Sequence, residues 1–225
     1  MIRPVPIALS LAALIGTSAL AETPPLNLQT SKFGTQKAVG TPAPVDADAV
    51  VAKANTYFND DSTMIANFTQ IGGDGRRTDG KLLIEKPGRM RFAYAPPATL
   101  EIVADGSSVA VIDRKLHTQD LYFIGQTPLK FLLNDHVDLA KDTKITGVTG
   151  DKTSATIDIE DKATFGGTSK IRLTFELQPF GLKQWTVVDP QGYETLVSLS
   201  DIDLSTKPDD NQFKINTERM LNTRK

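Results

Sequence analysis

The side chains that most often carry out chemistry are few in this chain, and they do not form a recognisable set. The two histidines, His117 and His136, are 19 positions apart. Neither belongs to a His-x-x-x-His pair, and no Gly-x-Ser-x-Gly motif is present, so the patterns of a zinc hydrolase and of a serine esterase are missing. The carboxylate pairs Asp60-Asp61 and Asp209-Asp210 lie beside loop residues, where they lack the burial that shifts a pKa. The sequence therefore predicts neither an enzyme nor a metal or cofactor site.

The absence of cysteine removes further kinds of chemistry. None occurs in the 225 residues, which excludes disulfides, thiolate catalysis and cysteine-ligated metals. It also predicts that the chain is not itself a bacterial lipoprotein, since those are acylated on a cysteine. Lysine and arginine number 25 against 27 for aspartate and glutamate, and this balance gives no electrostatic footprint for a nucleic-acid partner.

The N-terminal segment has the pattern of an export signal. Arg3 precedes an almost entirely apolar run up to Leu20, and Ala19-Leu20-Ala21 fits the small-residue cleavage pattern. We predict a signal peptide over residues 1–21, cleaved between Ala21 and Glu22, and export to the periplasm. An uncleaved anchor is the alternative, although the run is short for a membrane span.

The organisation of the remainder is simple. Residues 22–44 are rich in proline, glycine and polar side chains, which indicates a flexible leader, and residues 45–225 are expected to form one domain. Apolar residues at helical spacing predict a helix over 47–58. A second, short helix is predicted over 127–134, with Thr127 as its cap and Pro128 at its first position.

Strands and turns fill the rest. One antiparallel sheet of about ten strands is predicted from regular turn signals between alternating segments. The segments are 64–71, 80–85, 88–95, 100–104, 108–112, 116–124, 144–148, 155–160, 169–178, 182–189, 194–204 and 212–215.

The most informative segment runs from Gly80 to Pro97 and contains two strands separated by Pro87-Gly88. Side chains of one parity share a face of a strand. One face here is apolar and aromatic, and the other is charged. The apolar set, continued after the next turn, is Leu82, Ile84, Met90, Phe92, Tyr94, Leu100 and Ile102. Such alternation also describes an ordinary core, but a large apolar sheet face with only two helices to cover it favours a curled sheet around an apolar space.

The Gly80–Pro97 block resembles the LolA-type periplasmic carriers of outer-membrane lipoproteins. The likeness also includes Asn67-Phe68-Thr69-Gln70, Ala104-Asp105-Gly106 and Thr127-Pro128-Leu129, in this order. It implies a mainly β fold: an incomplete, half-open antiparallel barrel of about eleven strands, with short lid helices over a hydrophobic cavity. It further implies a monomeric carrier that takes acylated lipoproteins from an inner-membrane ATP-driven transporter and hands them to an outer-membrane receptor. Unlike many members, the chain has no proline-bearing loop in residues 216–225.

Two groups of site residues follow from these patterns. The acyl-binding group adds Ile171, Leu173, Phe175 and Trp185 to the seven residues of the apolar set. The lid group consists of Leu129, Leu132, Leu133 and Lys86.

Lys86 belongs to the lid group because of the family resemblance. In the family a basic residue, usually arginine, precedes the proline of the Gly80–Pro97 block and bonds to lid-helix backbone. Lys86 stands at that position, and we hypothesise that it holds the lid near Pro128–Phe131 closed, with fewer donors than arginine would offer. The alternative is a solvated lysine before a turn.

Three other functions are compatible with parts of the pattern. An anchored receptor of the same fold is disfavoured by the missing cysteine. A periplasmic sensor of the same fold would recognise lipids or mislocalised lipoproteins, but it would carry an extra domain. A small exported esterase would need a Ser or Asp cluster at one mouth of the cavity.

Overall fold

The structure is a computed structural model that describes residues 45–164 and 166–215. The predicted signal peptide with Ala21 and Glu22, the leader over 22–44 and the C-terminal residues 216–225 lie outside these ranges. No helix in the described ranges is long and apolar enough to cross a membrane.

The secondary structure is one long helix followed by eleven strands, with two short helices inserted after the sixth strand. The helices are α1 (Ala47–Asp60), α2 (Lys130–Leu133) and α3 (Leu139–Asp142). The strands are β1 (Thr63–Ile71), β2 (Arg77–Glu85), β3 (Arg89–Tyr94), β4 (Leu100–Asp105), β5 (Ser108–Asp113), β6 (Thr118–Phe123), β7 (Lys144–Gly150), β8 (Ser154–Thr164), β9 (Gly167–Leu177), β10 (Phe180–Val188) and β11 (Glu194–Asp203).

All eleven strands form one antiparallel sheet in the order β6-β5-β4-β3-β2-β1-β11-β10-β9-β8-β7. Each half is a meander, and the halves join where β1 pairs with β11. β6 and β7 are the two edges, and no pairing between them closes the sheet within the described residues. The predicted half-open barrel of about eleven strands is confirmed.

Residues 124–143 connect the two sheet edges and contain α2, α3 and a 3-10 turn at Ile124–Gln126. We call this stretch the bridging segment. Together with α1 it covers the concave face, and we call α1 and the bridging segment the lid. Asp46 caps α1 by accepting a hydrogen bond from the Ala49 amide at 3.1 Å, as side-chain carboxylates do at helix N-termini.

Three local predictions were wrong. Thr127 does not cap α2; its hydroxyl donates to the Ile124 carbonyl at 2.8 Å and ends the 3-10 turn. Pro128 is not the first helical residue, since α2 begins at Lys130. The predicted strand over 212–215 does not form: residues 212 and 213 end a 3-10 turn, Asp210–Phe213, and residues 214 and 215 follow it without regular structure.

The segment around that last turn crosses the convex face of the sheet. The guanidinium of Arg89 contacts the Asp210 carboxylate at 3.0 Å, and Arg91 donates to the Gln212 side chain at 2.8 Å. These contacts to β3 hold the segment across the strands, so it adds no strand to the sheet.

Candidate functional site

The first half of the concave face is built by cross-strand pairs on β2, β3 and β4. Leu82 lies opposite Phe92, and Phe92 lies opposite Ile102. One step along, Ile84 lies opposite Met90. These five side chains are between 0% and 3% exposed, so the parity that the sequence indicates is the parity that the structure buries.

The second half of the face is built in the same way on β8, β9 and β10. Ile157 lies opposite Leu173, and Leu173 lies opposite Trp185. A register shift between Leu182 and Gln184 turns both Leu182 and Trp185 inward, although their separation of three residues would place them on opposite faces of a regular strand.

The two halves form one continuous apolar surface across β1 and β11. The ring of Phe68 on β1 lies 5.0 Å from that of Phe92, which lies 6.4 Å from Trp185. All eleven predicted acyl-binding residues belong to or pack against a single hydrophobic cluster, with Leu100 and no other member of the group only partly buried. The sequence analysis missed several lining residues that show the same alternation: Met64, Phe68, Ile157, Ile159, Val197 and Leu199.

The lid fills this concave surface with its own apolar side chains. The predicted lid residues Leu129, Leu132 and Leu133 are between 1% and 9% exposed. Phe131, which the sequence analysis did not select, contacts both the sheet and α1. Its ring centre lies 6.1 Å from that of Trp185 and 5.8 Å from that of Phe58 in α1. A pocket between the end of α1 and the sheet holds about 20 Å³, the space of one water molecule. Because the lining residues of the concave face are already buried, an acyl chain that contacts them requires the lid to move.

Side-chain amides join the two parts of the lid. The Asn59 amide donates to the Val137 carbonyl at 2.8 Å, and its oxygen accepts from the Val137 amide at 2.8 Å. Asn55, one turn earlier on α1, accepts from the Leu139 amide at 3.0 Å. Because Asn55 and Asn59 lie on the same face of the helix, α1 and the bridging segment are held together as one unit.

Lys86 bonds a different part of the lid from the one predicted. Its ammonium donates to the Phe58 carbonyl in the last turn of α1 and lies 5.8 Å from the Phe58 ring centre. That Lys86 holds the lid near Pro128–Phe131 closed stays a prediction. The β2–β3 turn that carries Lys86 also contacts α2 through the backbone, since the Gly88 amide donates to the Leu133 carbonyl at 2.8 Å.

Burial lowers the pKa of Lys86 to about 8, and the nearby carboxylates of Asp61 and Asp135 act in the opposite direction. The ammonium is thus partly desolvated where α1 meets the β2–β3 turn. A group in this position loses its charge more readily than a surface lysine.

Several polar side chains are buried in the described residues, among them Asp161, Thr164 and Ser169. Tyr94 donates its hydroxyl to the Gln70 side chain at 2.8 Å, and burial raises the pKa of Tyr94 well above its ordinary value. His117 and His136 are exposed in two different loops. No group of three or more potential metal ligands occurs in the described ranges.

Sequence comparison places this site in a known family. The profile of the family described as "Outer membrane lipoprotein carrier protein LolA" matches residues 60–216, more than two thirds of the chain. The chain belongs to the LolA family. The match begins at the last residue of α1 and takes in all eleven strands, so it covers the concave face and the bridging segment together.

Individual relatives in the LolA family are distant. An outer-membrane lipoprotein carrier protein of Chromobacterium violaceum is 34% identical over 82 residues, which cover 35% of this chain and 39% of the relative. One of Methylobacillus flagellatus is 26% identical over 174 residues, covering 73% and 83%. The chain spans less than half the length of several relatives that it matches. The crystal structure of a LolA superfamily protein from Nitrosomonas europaea superposes with a TM-score of 0.42 at 13% identity, covering 76% of this chain and 99% of that one.

Proposed function

We propose that this protein is a periplasmic carrier that holds the acyl chains of lipoproteins against the concave face of its sheet. The observation that carries the proposal is the unclosed sheet itself: one apolar cluster lines its whole concave side, and only a lid with few polar ties covers it. In a closed sheet the same residues would be a permanent core. Here the cover is a separate unit that joins the two free edges.

The energetics favour an exchange of lid side chains for acyl chains. Each methylene group removed from water contributes about 0.8 kcal/mol, so a multiply acylated protein cannot cross an aqueous compartment unprotected. When the lid withdraws, the concave face loses contacts with Leu132, Phe131 and Phe58, and an acyl chain restores apolar contacts of the same kind. The carrier needs no nucleotide or other energy source for this step.

The partners follow from membership in the LolA family and from the predicted export signal. The proposed cycle begins at an inner-membrane ATP-driven transporter that releases acylated lipoproteins, and it ends at a receptor in the outer membrane. A monomer is sufficient for this role, because the binding face is formed by one sheet.

Quenching of Trp185 tests where the acyl chains bind. Trp185 is the single tryptophan of the chain and is 1% exposed on the concave face. A synthetic triacylated lipopeptide with brominated chains should quench its fluorescence on forming a one-to-one complex, which native mass spectrometry would count. The control moves the reporter: a Trp185→Phe, Tyr193→Trp variant places it in the β10–β11 turn, where Tyr193 is 58% exposed, and should show no quenching. Absence of binding, or equal quenching at both positions, would contradict the proposal.

A matched pair of charged variants tests the face that is used. Phe92→Glu places a carboxylate on the concave face, whereas Ala93→Glu places one on the convex face of the same strand. We expect the first to lose co-purifying lipoproteins from a periplasmic extract and the second to retain them. Circular dichroism identifies a variant that fails to fold, and for an unfolded Phe92→Glu the milder Phe92→Ser replaces it.

A further inference from the structure

An ion pair joins the lid to the half of the sheet that contains β8. Lys130, the first residue of α2, contacts Asp161 on β8 through its ammonium, with 2.8 Å between Nζ and Oδ1. The bridging segment leaves the sheet from β6 at one edge, whereas β8 lies next to β7 at the other edge. The contact therefore spans the gap that keeps the barrel open.

Both partners of this ion pair are largely buried. The side chains of Lys130 and Asp161 are 15% and 2% exposed. Glu160, the neighbour of Asp161 on β8, pairs with Lys144 of β7; these side chains are 26% and 64% exposed on the convex face, where water and salt screen the attraction. A buried ion pair is not screened in this way, and it is satisfied only when both partners occupy one geometry.

The surroundings link the pair to closure of the concave face. Phe131 directly follows Lys130, and its ring rests on Trp185. Withdrawal of Phe131 from Trp185 moves Lys130 away from Asp161, which separates a buried pair of charges. The closed position is thus the one in which both the aromatic contact and the ion pair are formed.

We infer that Lys130 and Asp161 form a latch that keeps the lid closed while the concave face is empty. It acts on α2 from β8, on the opposite half of the sheet from the Lys86 contact with α1. Since Asn55 and Asn59 join α1 to the bridging segment, the two contacts hold one lid unit from two sides. The benefit to cargo transport rests on the proposed function, but closure of the empty lid does not.

Acrylamide quenching of Trp185 in the empty protein tests the latch without any cargo. Lys130→Met removes the ammonium that contacts the buried Asp161 carboxylate, and the population of the open lid should rise by a factor of about 100 or more. Trp185 should then become accessible to acrylamide. The variant Lys130→Met/Asp161→Leu replaces the pair by apolar side chains, which a buried site tolerates, and should return the quenching to the native level. Lys144→Met removes the exposed ion pair between β7 and β8 and should leave the quenching of Trp185 unchanged.

The outcomes separate this inference from the carrier proposal. Unchanged quenching in a folded Lys130→Met variant overturns the latch, and so does global unfolding of both Lys130→Met and Asp161→Asn, because the pair would then support the whole fold. If Trp185 becomes accessible but no variant binds the triacylated lipopeptide, the latch stands and the carrier proposal fails. If the native protein binds lipopeptide and Lys130→Met neither opens nor takes it up faster, the carrier proposal stands and the latch fails.

Discussion

Replacement of Asn59 by alanine should loosen the bridging segment and leave the sheet intact. The side chain makes two hydrogen bonds to the backbone of Val137, each 2.8 Å long, and Val137 is only 2% exposed. Each bond contributes about 1 kcal/mol net, and more when its partner stays buried and unpaired, so the free energy of unfolding should fall by about 2–3 kcal/mol.

The neighbouring Asn55 provides a matched comparison. It makes a single bond of 3.0 Å to the Leu139 amide, worth about 1 kcal/mol. Asn55 lies in the interior of α1, whereas Asn59 is its penultimate residue, so alanine recovers about 0.5 kcal/mol of interior helix propensity only at position 55. We therefore expect Asn55→Ala to cost roughly 0.5 kcal/mol, well below the cost of Asn59→Ala.

Two measurements check this difference. Urea titrations give the free energies of unfolding, and hydrogen exchange followed by residue should show lost protection at the Val137 amide with protection retained on β1 and β2. Equal costs for the two variants would show that the second bond of Asn59 contributes nothing. Retained protection at Val137 would show that the Asn59 bonds do not hold the bridging segment in place.

Three further predictions concern the sheet and its contact with the lid. Gly80→Ala should destabilise the fold by about 1–3 kcal/mol, because a Cβ there would clash with the Ala93 carbonyl oxygen of β3. The control is Gly125→Ala, since a Cβ at Gly125 would have no atom within 4 Å. Equal stability of the two variants in thermal melts would contradict the structure. The pKa of Lys86 falls from 10.5 in the unfolded chain to about 8 in the folded protein, so the unfolded chain binds more protons between these pH values. The free energy of unfolding should therefore rise with pH across that window, relative to that of Lys86→Met. Urea titrations that show a constant difference between the two proteins would disprove the buried ammonium. Tyr94→Phe removes the buried bond to Gln70 and should cost about 1–2 kcal/mol, whereas the same change in a Gln70→Leu background should cost less.

The apolar face was predictable because its signal is local. Met90, Phe92 and Tyr94 alternate with Arg89, Arg91 and Ala93, and every strand presents alternate residues to opposite faces. Their 0%, 3% and 5% exposure follows from that rule and from the turns at Pro87-Gly88 and Asp105-Gly106, which fix the pairing of β3 with its neighbours.

The features that the sequence did not predict depend on long-range contacts, on very short elements or on bulges. Residues 212–215 have an alternating pattern, yet contacts of Arg89 with Asp210 and of Arg91 with Gln212 hold this part of the chain across the convex face. Each contact joins residues that are 121 positions apart. The four residues of α3 are too few to show a helical period. The inward position of Trp185 alongside Leu182 depends on a bulge that alternation alone does not reveal.

The sequence by itself indicated the family, most of the strands and the apolar side of β2, β3 and β4, because these depend on the order of neighbouring residues. Only the tertiary structure decided how that apolar face is covered. The contacts that hold the lid join Asn59 to Val137 across 78 positions and Lys130 to Asp161 across 31. Such pairs come into reach only after the sheet has curled, and its curvature is a property of all eleven strands together.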